Sequence, residues 1–425
     1  MFEKLRRVWV IRELRNNLLF VIGMLVIFRL VAHIPVPGVN VAQLRIFLES
    51  NQLFGLLNIF SGGTINNFSL VMMGVAPYIT ASIIFQLLAM VVPSLEELTK
   101  EGESGRQKIN MYTRLATVPL GLLQAYGFIK LLQQSQPGIF GDLSVLRMVS
   151  IMLTVTAGTI FLMWIGELIT EKNMGNGTSL IIFSGIIAAL PRAVQTLAIN
   201  YNSSDLFTYI IYVVIILATV GGVVLMSEGQ RNIPVTYAKQ SARGGRGGFG
   251  NAQSHLPLRV NMAGVIPIIF AISVILFPTM ISQFFVNHAG RIGALARAVT
   301  ELFQNQLFYG ILYFLMVVGF TYFYTAIIFQ PQKIAENLQR QGGFIPGIRP
   351  GKQTEEYLQH TMTRLVFIGA VFLGLIAILP LVVQGLTGSQ SLVVGGTSLL
   401  IVVSVAIETA KQVESQLTMH EYDRV

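Results

Sequence analysis

Ten long apolar stretches run through this chain, and no soluble fold accommodates them. They lie near 18–36, 70–92, 113–132, 148–169, 179–199, 207–227, 262–286, 308–329, 364–384 and 392–410. Each approaches or exceeds the roughly 18 residues that a helix needs to cross a hydrocarbon core. Lipid offers no partner to open backbone groups, so apolar segments of this length cross as helices. Only 12% of the 425 residues are charged, about half the share in a soluble domain. The chain therefore reads as an all-α integral membrane protein with ten transmembrane helices and no room for a large soluble domain. The N-terminus is basic and then apolar, as in a signal peptide. Its apolar run is long, however, and ends in HIPVPG rather than a small-residue cleavage site, so it reads as a retained first span. Cysteine is absent, which excludes disulfides and cysteine-based metal or redox chemistry.

Charge sets the orientation. With both termini inside, all but seven of the 29 Lys and Arg fall in inner segments; the outer ones are Arg29, Arg45, Lys130, Arg147, Arg192, Arg291 and Arg297. The positive-inside rule then places both termini in the cytoplasm. The net charge of +9 is a topology signal on this reading, or else a sign of an anionic partner. Two inner loops, about 228–260 and 330–363, are long and basic, a length usually tied to function or disorder.

Two short echoes organise the rest. GVAPYI (74–79) returns as GVIPII (264–269), and GTSLII (177–182) as GTSLLI (396–401). The first pair opens spans two and seven, the second opens spans five and ten. A constant offset of five spans is a five-plus-five duplication. Because five is odd, the halves are expected to be inverted about an axis in the membrane plane. That gives an N-terminal half of 1–200 and a C-terminal half of 201–425. Each echo ends in Ile: Ile79, Ile269, Ile182 and Ile401. Ile83 and Ile186 follow one turn later on the same face. By spacing alone these isoleucines face lipid, a core or a shared passage.

The chain resembles the SecY family, the central channel subunits of the bacterial Sec protein translocon. The resemblance covers nearly the full length. It rests on RLVAHIPVPGV (29–39), FSGGTINNFSLVMMGVAPYITASIIFQLL (60–88), GNGTSLIIFSGIIAALP (175–191), QRNIPVTYAKQ (230–240), GVIPIIFAISVILFP (264–278), GFIPGIRPGKQTEEYL (343–358) and GGTSLLIVV (395–403). It implies an hourglass channel in the plasma membrane that passes unfolded secretory polypeptides and releases apolar segments sideways into lipid. A ring of six side chains would close its waist: Ile79, Ile83, Ile182, Ile186, Ile269 and Ile401. An apolar ring gates by dewetting and offers a passing peptide no hydrogen bonds, whereas charges or carbonyls would bind ions.

Residues 55–69, GLLNIFSGGTINNFS, are too short and polar to span, and read as an external loop or a re-entrant segment. The resemblance makes them the plug, a short re-entrant helix that includes Ile59, Phe60, Gly62, Gly63 and Asn66. It also implies a lateral gate between spans two and seven. Ser82 and Gln86 are its candidates on span two, and Ser273, Phe277 and Ile281 on span seven. With Ile269, the last three form an i+4 series that drifts about 40° per step around the helix. The inner loops end in two features. QSARGGRGGFGN (240–251) is a flexible linker or a basic finger carrying Arg243 and Arg246. In GFIPGIRPG, prolines that fix φ and glycines that permit turns would hold Arg349 at a loop tip. The resemblance implies that these loops, with Arg231, dock the ribosome and the motor ATPase SecA. It also implies SecE and SecG subunits, signal sequences and nascent polypeptides as partners, and no cofactor.

A secondary transporter shares the inverted-repeat logic, but transporters place ionisable groups at mid-membrane. Here Glu167 and Glu408 sit near inner span ends, and Arg29 either snorkels outward or pairs inside the bundle. HExxH, GxSxG and P-loop motifs are all missing, which argues against a protease or an ATPase.

Overall fold

The computed structural model describes residues 9–44, 61, 64–135, 138–140, 144–199, 206–237, 252–286, 290–387 and 396–422. Its elements in order are α1 (Arg12–Ala32), α2 (Ala76–Val91), α3 (Pro93–Lys100), α4 (Glu103–Ser135), α5 (Val145–Glu171), α6 (Gly177–Ile199), α7 (Leu206–Glu228), β1 (Gln230–Tyr237), β2 (Ala252–Arg259), α8 (Ile266–Phe285), α9 (Arg291–Gln304), α10 (Gln306–Ile328), α11 (Pro331–Arg340), β3 (Gly343–Phe344), α12 (Lys352–Thr387) and α13 (Gly396–Tyr422). Each of the ten apolar stretches coincides with one helix: α1, α2, α4, α5, α6, α7, α8, α10, α12 and α13. Among the described residues six of these are long and apolar enough to cross a membrane by themselves, and α2 with α3 makes a seventh as a bent pair. α2 and α3 meet at a bend of 100°. Pro93 forces it, since proline cannot continue the donor ladder and pushes Val92 into an extended conformation (φ −97°, ψ 113°).

Several hydroxyls inside these helices are satisfied locally, although those of Thr156, Ser398 and Ser404 are buried without a partner among the described residues. Thr80 donates to Ala76 O, Thr117 to Thr113 O, Thr159 to Val155 O, Thr219 to Ile215 O and Thr321 to Val317 O. In lipid this back-bonding keeps a polar atom paired whatever the neighbouring helix offers.

The chain forms two compact units. The first comprises Met1–Tyr209, Ile272–Tyr309 and Ile401–Val425. In it α2 packs on α4, α4 on α5, and α5 on α6, while α1 touches α5 and α6. Small residues permit close approach: a Cβ on Gly158 of α5 would overlap the Leu70 carbonyl, and one on Gly177 the Gly166 carbonyl. A core of Val36, Leu44, Ile65, Phe68, Met72, Ile129, Leu132, Phe140 and Val155 sits under the chain that leads into α2.

The second unit comprises Ile210–Ala271 and Gly310–Leu400. The two long basic loops are not simple connectors. β1 and β2 pair antiparallel from Gln230↔Arg259 to Tyr237↔Ala252. β3 adds Phe344 opposite Thr236, giving the order β2-β1-β3. Ile233 and Val235 alternate inward, and with Leu258, Phe329, Leu338, Ile345, Leu358, Met362 and Val366 they form a separate core. α12 has 36 residues, roughly 54 Å at 1.5 Å per residue, so one helix serves this small module and a membrane span. Among the described residues the fold is thus mostly helical with one three-stranded sheet, which the all-α reading did not include.

Candidate functional site

The two GVxP echoes fold alike. Gly74 and Gly264 both take a left-handed conformation, φ +56° and +61°, which a side chain would resist. Helix starts at the second residue after each glycine, with proline next, at Pro77 and Pro267. Proline suits the first turn, where no helical partner for its N–H exists. Ile79 N then donates to Val75 O (3.0 Å) and Ile269 N to Val265 O (3.4 Å). Each isoleucine is therefore the fourth residue of its helix.

The second pair also opens two helices alike. α6 starts at Gly177 and α13 at Gly396, so Ile182 and Ile401 are each sixth in their helix. The start of α6 is tightly tied. Asn176 Oδ1 accepts from Ser179 N (3.1 Å), and Thr170 Oγ1 accepts from Gly177 N (3.0 Å). All six ring candidates are buried, Ile79 the least at 9% exposure and Ile401 the most at 0%. Isoleucines such as Ile84 and Ile187, one residue beyond Ile83 and Ile186, are exposed. Burial therefore follows helix face and is not a general property of isoleucine here.

Arg29 does not snorkel. Its Nη2 donates to Ser184 O and Gly185 O, both at 3.0 Å. Carbonyl oxygens keep a second lone pair within a helix, so the guanidinium binds α6 without unwinding it. The contact lies between Ile182 and Ile186 on the same helix. Exchanging Arg29 for Met removes charge-assisted bonds worth about 1.5–3 kcal/mol each. The purified protein should melt several degrees lower, with Arg29→Lys in between; an unchanged melting curve for Met contradicts the contact. Glu167 is likewise committed: its Oε1 meets Arg114 Nε at 2.6 Å, joining α5 to α4.

On α2 the polar gate candidates bond each other. Gln86 Nε2 donates to Ser82 Oγ (3.0 Å), and both are half-buried. Thr80 Oγ1 accepts from Gln124 Nε2 of α4 (3.4 Å). On α8, Ser273 is half-buried and Ile281 exposed, and the side chain of Phe277 lies outside the described residues. Of the plug candidates, Ile59, Phe60, Gly62 and Gly63 lie outside the described residues. Asn66 falls in a 3-10 turn, Ile65–Asn67. That end of the segment is anchored. Val36 N donates to Phe68 O (2.9 Å), Leu70 N to Ile34 O (3.1 Å), and the Phe68 ring meets Phe140 edge-on.

Arg349 is exposed at a turn. Gly347 (φ +83°) and Gly351 (φ +97°) supply the left-handed positions. The turn is pinned by Ile348 N to Ile345 O (3.0 Å) and by Thr354 Oγ1 to Arg349 O (2.9 Å). Arg231 is exposed on β1 of the same module, whereas Arg243 and Arg246 lie outside the described residues.

The helices, the buried isoleucines and the basic module define a multi-span helical membrane protein. Comparison with known proteins supplies the rest. The SecY family profile matches residues 69–410. The protein translocase subunit SecY of Halalkalibacterium halodurans is 43% identical over 432 residues, covering 99% of both chains. That of Streptomyces coelicolor is 41% identical, covering 97% of this chain and 96% of its own. Among solved structures, a protein-conducting channel aligns with TM-score 0.63 at 17% identity, covering 93% of this chain and 91% of its own. Sec61 in a canine ribosome–channel complex aligns with TM-score 0.62. In class, the chain is a protein-conducting translocation channel and not an enzyme. It belongs to the SecY family of protein translocase subunits.

Proposed function

We propose that Ile79, Ile83, Ile182, Ile186, Ile269 and Ile401 form the apolar constriction through which unfolded secretory polypeptides pass. The supporting observation is that both echoes build equivalent local geometry and all six side chains are buried. Two inverted halves, 1–200 and 201–425, each supply equivalent residues to one waist, and this accounts for the duplication. The anchored segment ending at Ser69 is the base of a plug. Ser82, Gln86, Ser273, Phe277 and Ile281 line a lateral exit for apolar segments. The protein works in the bacterial plasma membrane with SecE and SecG, its termini in the cytoplasm.

The sheet module is the docking face for SecA and the ribosome. Its exposed cations, Arg231, Arg259, Lys333, Arg340, Arg349 and Lys352, suit an acidic or phosphate-rich partner. Raising the salt from 0.05 to 0.3 M should weaken SecA binding to reconstituted channels markedly, because exposed charges are screened. A salt-independent affinity contradicts an electrostatic dock.

A further inference from the structure

Helix α9 belongs to no part of the channel described so far. It has 14 residues, about 21 Å in length and too short to cross the bilayer. It joins α8 to α10. The basic loops precede α8 and follow α10, so α9 lies on the opposite side of the membrane from them if each of those helices crosses once.

Its surface divides into three faces. At 100° per residue, Ile292, Leu295, Val299 and Leu302 share an arc of about 80°. Ile292 is 61% exposed, Leu295 67% and Leu302 46%. A second arc holds Gly293, Ala296, Thr300 and Phe303 against the protein. Ala296 is buried, Thr300 Oγ1 meets Ser282 Oγ of α8 at 3.1 Å, and the Phe303 ring meets Phe308 edge-on at 5.9 Å. The third arc carries exposed Arg291, Ala294, Arg297 and Glu301. An apolar stripe beside a polar one, on a short helix with basic residues, is the signature of a helix lying in the membrane interface. The apolar surface also continues past the helix: Leu307, at the start of α10, is 72% exposed. That places an exposed apolar residue of a spanning helix immediately after the stripe.

We propose that α9 lies flat in the headgroup–acyl boundary of the leaflet opposite the basic module, with Ile292, Leu295, Val299 and Leu302 among the acyl chains and Arg291 and Arg297 at phosphate depth. The occupant of the stripe is lipid. In this position α9 tethers the end of α8 to the membrane surface through the Ser282–Thr300 contact, independently of how the waist is built.

The chain contains no cysteine, so an introduced cysteine is the single labelling site and no native cysteine has to be removed first. Leu295→Cys and Ala294→Cys, each carrying an NBD fluorophore, are compared in translocation-active proteoliposomes. The stripe position should be quenched by lipids with a shallow doxyl group, and its quenching by aqueous iodide should be about fivefold weaker than at position 294. Equal iodide quenching at both positions without doxyl quenching would place the stripe in water and overturn the proposal. Protection of position 295 from both quenchers would assign the stripe to a protein partner and overturn it equally. Ile292→Cys gives the same readout if Leu295→Cys fails to assemble.

Discussion

Replacing Ile83 or Ile269 with Asn raises the resting ion conductance of the channel in planar bilayers by about tenfold. A dry apolar waist excludes ions because water does not fill it. Asn replaces a branched hydrocarbon with an amide that hydrogen-bonds water. If one amide lowers the cost of wetting by about 1.4 kcal/mol, the wetted population rises tenfold. Gly at either position acts differently, opening space where a stiff β-branched side chain stood, and should also raise the leak. Ile84→Asn serves as the control. It is the same substitution one residue along α2, but on an exposed face, so the resting conductance should not change. Equal leaks from positions 83 and 84 would remove the special status of the buried face.

Arg349→Glu slows SecA-driven translocation by about tenfold or more while the channel assembles normally. The side chain is exposed, and its backbone is held by Thr354 and by two glycines in left-handed conformations. Reversal therefore changes charge at a fixed point without disturbing the core below. Charge reversal at an interface replaces attraction by like-charge repulsion, a swing of several kcal/mol. Arg349→Gln should fall between wild type and Glu. Normal translocation by the Glu variant, with normal expression, removes this arginine from the dock.

The spans were legible because membrane helices advertise themselves through hydropathy alone, and the echoes because each repeats a local rule. A left-handed glycine, a short spacer and a first-turn proline must be written out wherever that helix start is needed, as at Gly74 and Gly264. The sheet module was harder to see. Ile233, Val235 and Tyr237 do alternate, but Pro234 and Pro257 interrupt the strand pattern, and the pairing of β1 with β3 joins residues about a hundred apart. The exposed stripe of α9 carried a readable helical period that the hydropathy of its neighbours obscured. The partner of Arg29 had no local signal at all, since Ser184 is 155 residues away. Sequence offered snorkelling or pairing, and only packing decides between them.

The central claim is that translocating polypeptide passes through the collar of six isoleucines. A secretory chain is stalled in channels carrying Ile83→Cys or Ile269→Cys, with a photoreactive group on the cysteine, and compared with Leu217→Cys, a 66% exposed position on α7. Positions 83 and 269 should both crosslink to the stalled chain, and position 217 to lipid alone. Crosslinking no stronger at 83 and 269 than at 217 would contradict the account.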